Sequence, residues 1–354
     1  MESVSRMTGS REPPFAQNFG LMMTYRCQVA CPHCIVKAGP NRKEEVAVEE
    51  ACNWIDQMAA YRGGLIRVLA LTGGEPFFNL SNLRAVGGHA KACGLAVTAV
   101  TNGYWAGSYD EALGILAGLP FLDSVAISTD VYHQAAIPLA RVRNAATACA
   151  TAGIPFAVSV CTENVADPDY LAIVQALHEF CEADRVLTAI VAPVGRAREQ
   201  LGAGRYVMVD GLPAPACPGG HAPVIFPDGR VIACIGPVID IAGPNPLALG
   251  NLRDQPLAEI IERAQTNPVL HMLRALGPRK LALRVREAGL AHELRQRFIE
   301  EEPCYLCYSL MSNPRIVAFL DDLGRDDEFA RLSAYARYYY LHEPEMMELL
   351  GLGK

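Results

Sequence analysis

The chain reads as an α/β protein in which six parallel strands alternate with helices and curl into a partial (β/α)6 barrel, followed by a β-hairpin plus helix unit built around cysteines. Three observations predict this. Strand-length apolar runs alternate with amphipathic helical segments from residue 19 to residue 192, the pattern of consecutive βαβ units. The residue groups with chemical character fall at the carboxyl ends of those strands, where such sheets carry their sites. Beyond residue 200 the composition turns rich in Gly and Pro, and a second group of cysteines begins.

In order, strands are expected at 19–25, 65–71, 95–101, 124–129, 155–161 and 185–192. Helices are expected at 47–61, 80–93, 109–117, 140–151 and 168–181. The first helix shows the reasoning: Ala51, Trp54, Ile55 and Met58 recur at helical spacing and so share one face. Residues 201–216 read as a linker. Pro227-Asp228-Gly229 between two apolar runs reads as a hairpin turn that brings Cys217 towards Cys234. Residues 280–302 have a charged helical pattern, either a solvated helix or a lid, and the tail with Tyr338-Tyr339-Tyr340 reads as small packing helices. The expected units are an extension (1–18), a core (19–200), a cluster unit (201–310) and a helical tail (311–354). With about twenty residues before the first strand, no N-terminal peptide-recognition domain is expected.

Bulk properties narrow the function. Half of the 354 residues are apolar, enough for one large core or two moderate ones, and the formal charge of −7 argues against a duplex nucleic-acid partner. No apolar run reaches membrane-spanning length and the first residues lack a signal-peptide core, so a cytoplasmic protein is expected. In a reducing compartment, clustered thiols are metal ligands before they are disulfides. Seven of the twelve cysteines fall in two metal-like groups; Cys52, Cys93, Cys149, Cys161 and Cys181 stand singly and read as small buried hydrophobes.

The first group, Cys27, Cys31 and Cys34, has the spacing Cys-x3-Cys-x2-Cys on one short loop. Three thiolates hold three irons of a cubane cluster and leave the fourth iron open. A zinc site that recruits His33 is the other reading. The next strand runs into Thr72-Gly73-Gly74-Glu75-Pro76. With that segment one strand after the cysteine loop, the sequence resembles the radical S-adenosylmethionine (radical SAM) enzymes. The resemblance implies that the methionine amino and carboxylate groups chelate the open iron of a [4Fe–4S] cluster. It also implies reductive cleavage of SAM to a 5′-deoxyadenosyl radical that abstracts a substrate hydrogen, and a reducing partner such as flavodoxin or ferredoxin. Gly73, Gly74, Glu75 and Pro76 then belong to the cofactor site, the glycines by letting backbone approach the ligand and the acidic end by receiving the ammonium.

Further candidates end later strands. Thr101 and Asn102 read as nucleoside contacts or a turn, Ser128 as a cofactor contact and Asp130 as a helix N-cap or acid–base group. His133 and Glu163 are further acid–base candidates, although a histidine so placed is commonly structural. Cys161 could return a hydrogen atom to a substrate radical or lie buried in its strand. Arg196, in Pro193-Val194-Gly195-Arg196-Ala197, resembles a junction found in radical SAM enzymes that carry an extra cluster domain; capping a helix or pairing with a carboxylate is the plainer role.

The second group comprises Cys217, Cys234, Cys304 and Cys307, with Leu249-Gly250-Asn251-Leu252 between. It resembles the auxiliary-cluster extensions called SPASM and Twitch, and the shorter Twitch type because no cysteine follows Cys307. A second [4Fe–4S] cluster is implied, with a four-cysteine zinc ribbon as the alternative. Four protein ligands leave no open iron, so such a cluster carries electrons. The arrangement is similar to that of a Twitch-type aminocyclitol dehydrogenase, which implies oxidation of a carbohydrate or aminocyclitol-like small molecule. The other readings are a maturase that cross-links or epimerises a ribosomally made peptide, and a zinc-stabilised non-catalytic scaffold.

Overall fold

A computed structural model of the chain describes residues 15–217, 219–300 and 302–351, so most of the expected N-terminal extension lies outside the described residues. The alternation is present: β1 (Asn18–Thr24), α1 (Val48–Ala60), β2 (Val68–Gly73), α2 (Leu80–Ala92), β3 (Ala96–Thr101), α3 (Tyr109–Ala117), β4 (Leu122–Thr129), a one-turn α4 (Val131–Gln134), α5 (Leu139–Thr151), β5 (Phe156–Thr162), α6 (Pro168–His178) and β6 (Val186–Ile190). Helix α1 buries the four residues its spacing selects, Ala51, Trp54, Ile55 and Met58. Local chemistry fixes the helix starts: Ser108 caps α3, and Asp167 caps α6 ahead of Pro168, whose missing N–H costs nothing there.

All six strands run parallel, and their registers align one edge. Thr24 pairs with Gly73, Leu71 with Ala99, Thr101 with Ile127, Thr129 with Val160 and Thr162 with Ile190. Six strand ends therefore open onto one rim. The sheet curls enough for residues after β1 and residues of β6 to line the same cleft.

The C-terminal hairpin does not stand apart from this sheet. Strand β7 (Met208–Val209) comes first, within the expected linker and after the short α7 (Ala197–Gln200). Strand β8 (Val224–Ile225) then pairs in parallel with β1, and β9 (Arg230–Ile232) and β10 (Ala248–Asn251) follow antiparallel, giving one nine-stranded sheet ordered β10-β9-β8-β1-β2-β3-β4-β5-β6. The turn at Pro227-Asp228-Gly229 is as expected, with Gly229 at φ 84°. Helices α8 (Leu257–Gln265), α9 (Pro268–Leu276) and α10 (Pro278–Glu287) come next.

The segment 280–302 is not one helix. It ends at Glu287, Gly289 takes φ 79°, and the chain returns as β11 (Phe298–Ile299) to pair with β7. Strand pairing with a distant segment decides this, and helical charge spacing cannot report it. After α11 (Pro303–Met311), α12 (Pro314–Leu323) and α13 (Asp327–Ala336), the tyrosine run forms a π-helical turn, followed by α14 (Met346–Leu349). The tail is locked by a buried network: Glu343 accepts from Arg274 at 2.8 Å and from Arg337.

Candidate functional site

The loop between β1 and α1 carries Cys27, Cys31 and Cys34, and all three line a cleft of about 640 Å³ at the rim. Each sulfur has an N–H donor aimed at it. Cys27 Sγ receives Val29 N at 3.5 Å and Asn102 Nδ2 at 3.4 Å, Cys34 Sγ receives Ala38 N at 3.3 Å, and His133 hydrogen-bonds Cys31. Three soft donors on one wall, each sulfur met by a hydrogen-bond donor, fit a thiolate-held iron–sulfur cluster, whose sulfurs carry negative charge.

Gly73 and Gly74 line the cleft, but the side a Cβ would fill faces protein. A methyl at Gly73 would sit 2.5 Å from Thr24 O, and one at Gly74 2.2 Å from Arg26 O. The glycines are required because the end of β2 packs backbone to backbone against the root of the cysteine loop. Gly74 N and Glu75 N then donate to Thr24 O and Arg26 O.

Glu75 and Pro76, expected at the cofactor, do not line the cleft. The Glu75 carboxylate is fully buried and accepts from Phe77 N at 2.9 Å, Thr101 Oγ1 at 2.8 Å and Asn102 N at 2.7 Å. Burial pushes its pKa up to about 7 against those hydrogen bonds. Its place is beneath the site, where it fixes Thr101 and Asn102. Both of these line the cleft, as does Ser128.

The three acid–base candidates separate. Asp130 is fully buried: one oxygen caps α4 through Tyr132 N and His133 N, and the other takes His133 Nδ1 at 2.8 Å and His33 Nε2 at 3.3 Å. Glu163 is turned to the Tyr132 hydroxyl and to Arg205 Nε at 3.8 Å, away from the cleft. His133 lines the cleft but is held between Asp130 and Cys31. Burial opposes its charged form, yet those two hydrogen bonds hold its pKa up at about 10. His33, beside it in the cysteine loop, is pushed down to about 4 by burial despite Asp130. Strand-end position alone could not tell an inward side chain from one consumed by its neighbours.

Arg196 does not line the cleft either. It clamps the cysteine loop, donating to Cys31 O at 2.7 Å and Ala38 O at 2.6 Å, while its own N–H meets Cys34 O at 3.1 Å. Gly195 makes this possible: its φ is 58°, and a Cβ there would lie 2.4 Å from Ile35 O. The positive φ implied by a glycine before Arg196 was the signal in the sequence.

Cys161 faces the cleft rather than the core. It is partly exposed at the end of β5, with its sulfur within 4.8 Å of donor atoms of His33 and Asp130. Burial, then the charges of Asp130 and Glu163, push its thiol up to about 12, so it is protonated at neutral pH.

Cys217, Cys234, Cys304 and Cys307 meet around a second, smaller cavity walled by Val238, Leu247, Leu270 and Leu273. Gly236 N donates to Cys234 Sγ at 3.4 Å, and the Glu302 carboxylate caps α11 at Cys304 N and Tyr305 N. Four thiols in an apolar enclosure fit either a cubane cluster or tetrahedral zinc. Gly236, Pro237, Pro303 and Cys304 line both cavities, so one thin wall separates them.

Comparison with known proteins agrees with the first cysteine group. Residues 21–174 match the model of the Radical SAM superfamily. The chain is 21% identical over 296 residues to the putative peptide biosynthesis protein YydG of Bacillus subtilis (strain 168), covering 81% of this chain and 90% of that protein. Among solved structures it is similar to BtrN in complex with AdoMet and 2-DOIA (13% identity, 75% of this chain and 89% of that one, TM-score 0.44) and to methylornithine synthase PylB (14%, 54% and 58%, TM-score 0.40). With that domain match spanning the cysteine loop and the strands that surround it, the chain is a member of the radical SAM superfamily.

Proposed function

We propose that this radical SAM enzyme acts on an aliphatic residue of a peptide, and that Cys161 returns a hydrogen atom to the substrate radical. Membership of the family implies SAM and a SAM-binding [4Fe–4S] cluster, which together supply a hydrogen-abstracting radical when bound. In this reading Cys27, Cys31 and Cys34 hold that cluster, and Asn102, His133 and Arg196 support its ligands and loop.

The observation that carries the proposal is the protonated Cys161 thiol on the cleft wall opposite aliphatic residues. Val29, Ile35, Val191, Val194 and Ile235 suit an apolar side chain better than a ring of hydroxyls. The printed name of the Bacillus relative, a putative peptide biosynthesis protein, points the same way. Abstraction breaks a substrate C–H bond. The S–H bond of Cys161 then breaks, its hydrogen goes to the carbon, and the resulting thiyl takes one electron and one proton from an external one-electron reductant. The product is an epimer, with no net oxidation of the substrate.

A second reading, oxidation of a carbohydrate or aminocyclitol-like molecule, is favoured by Cys304, which lines both cavities. A [4Fe–4S] cluster held by Cys217, Cys234, Cys304 and Cys307 would sit next to the cleft and accept the electron.

The Cys161→Ala variant separates the two. If Cys161 is the donor, the variant still forms 5′-deoxyadenosine from SAM but yields no epimerised peptide. An unchanged epimer yield rules the role out, and turnover of an aminocyclitol but not of any peptide selects the second reading.

A further inference from the structure

On the outer face of the barrel, away from both cavities, helices α1 and α2 lie side by side and bring together residues that the reaction does not use. Asp56 projects from α1; His89 projects from α2, and Cys93 caps that helix one turn later. His89 Nε2 is 2.7 Å from Asp56 Oδ1, Cys93 Sγ is 3.5 Å from the same oxygen, and Cys93 Sγ is 3.6 Å from His89 Nε2. Cys52, one turn before Asp56 on the same helix, lies within electrostatic reach of Asp56 and of Cys93. The four residues are thus two i,i+4 pairs on neighbouring helices, the spacing that points two side chains of one helix the same way.

We propose that Asp56, His89 and Cys93, with Cys52 closing the shell, form a zinc site that pins α1 to α2. The donor set mixes thiolate, imidazole and carboxylate, which suits zinc better than the hard cations magnesium and calcium. The spacing suits it too. Tetrahedral zinc, with Zn–S of about 2.3 Å and Zn–N of about 2.0–2.1 Å, holds its sulfur and nitrogen ligands about 3.6 Å apart. The Cys93–His89 pair already stands at 3.6 Å. Only the His89–Asp56 pair must open, from a hydrogen bond of 2.7 Å to a tetrahedral edge of roughly 3.3 Å. Both residues are partly solvent-exposed, with side chains 33% and 60% accessible, so an ion has a path in and the side chains have room to part.

The site is separate from the cysteine groups, and so is its test. Anaerobically purified protein with its iron in place is titrated with Co²⁺ as a spectroscopic stand-in for zinc, and zinc is then added to displace it. Tetrahedral ligand-field bands should saturate at about one equivalent assigned to this site. They should vanish in His89→Ala and in Cys93→Ser, with iron content and far-UV circular dichroism unchanged. Cys52→Ser should weaken binding at least tenfold. Zinc should raise the thermal midpoint of the wild type and leave that of the two ligand variants alone. If His89→Ala or Cys93→Ser loses iron or structure, Asp56→Asn, a change on an exposed side chain, gives the same readout in folded protein.

Cobalt held at Cys217, Cys234, Cys304 and Cys307 would survive all of these substitutions and is told apart by that survival. Wild-type protein without the variant-sensitive bands, or ligand variants that bind cobalt as the wild type does, would reduce the cluster to a surface His–Asp ion pair and overturn the proposal.

Discussion

Gly74→Ala tests how the cysteine loop is anchored. The added methyl carbon would lie 2.2 Å from Arg26 O, 2.7 Å from Arg26 C and 2.9 Å from Tyr25 C, all backbone atoms that cannot rotate away. Restoring even a tight 3.0 Å contact with the carbonyl moves the Arg26 peptide by roughly 0.8 Å. That movement draws out the Glu75 N to Arg26 O hydrogen bond, now 2.9 Å, and strains the neighbouring Gly74 N to Thr24 O bond at 2.6 Å. Overpacking costs about 1–3 kcal/mol and each weakened hydrogen bond about 0.5–1.5 kcal/mol, giving a loss of about 3–5 kcal/mol. Urea unfolding of the apoprotein measures the loss, and iron bound after anaerobic reconstitution measures its effect on the loop. Gly88→Ala is the control: in α2, a Cβ there meets nothing within 4 Å, and the change should stabilise by about 0.5–1 kcal/mol. A Gly74→Ala protein with wild-type midpoint and wild-type iron would refute the packing argument.

Other perturbations have equally definite outcomes. Arg196→Gln removes the paired donation to Cys31 O and Ala38 O; at about 1.5–3 kcal/mol per charged hydrogen bond it should cost about 2–4 kcal/mol and speed iron loss to a chelator, and an unchanged rate would contradict the clamp. With Cys27, Cys31 and Cys34 all replaced by Ala, about four irons with a cubane spectrum should remain if the second group holds its own cluster; zinc in their place would make that group structural. Glu343→Gln leaves Arg274 and Arg337 facing a neutral partner in a site where all three side chains are at most 4% exposed, for a loss of about 3–5 kcal/mol. Burial raises the Glu343 pKa, but the two arginines outweigh it and hold it below 4.5. The unfolded chain therefore takes up the proton first as pH falls. The stability Glu343 contributes is fully present above 4.5 and lost as pH drops through the folded value, so the apoprotein's urea midpoint should fall less steeply below pH 4.5 in Glu343→Gln than in the wild type.

The cysteine loop, the Gly-Gly-Glu-Pro segment and the alternation of strands and helices were legible because each rests on local rules. Helix α3 falls on the residues expected, 109–117, and α1 buries the residues its period selects. Membership of a strand end was legible too, and it brought Thr101, Asn102 and Ser128 to the cleft. What each strand-end side chain does was not. Glu75, Asp130 and Glu163 are all acidic residues following strands, yet each is consumed by donors from elsewhere in the chain, including Thr101, Asn102, His33, Tyr132 and Arg205. Cys161 went the other way, from a residue expected in the core to one on the cleft wall.

By itself, then, the sequence determined the cofactor chemistry, because ligand type and spacing on one loop are properties of a few adjacent residues. It also determined the βαβ order, because hydrophobic period is local. Only the tertiary structure decided that the C-terminal hairpin extends the barrel sheet through β1, that Arg196 reaches back across 165 residues to Cys31, and that Asp56, His89 and Cys93 share one patch between two helices. Each of these depends on which distant backbones pair and which faces meet. Burial and hydrogen-bond satisfaction over the whole fold set those, and no local window of sequence contains them.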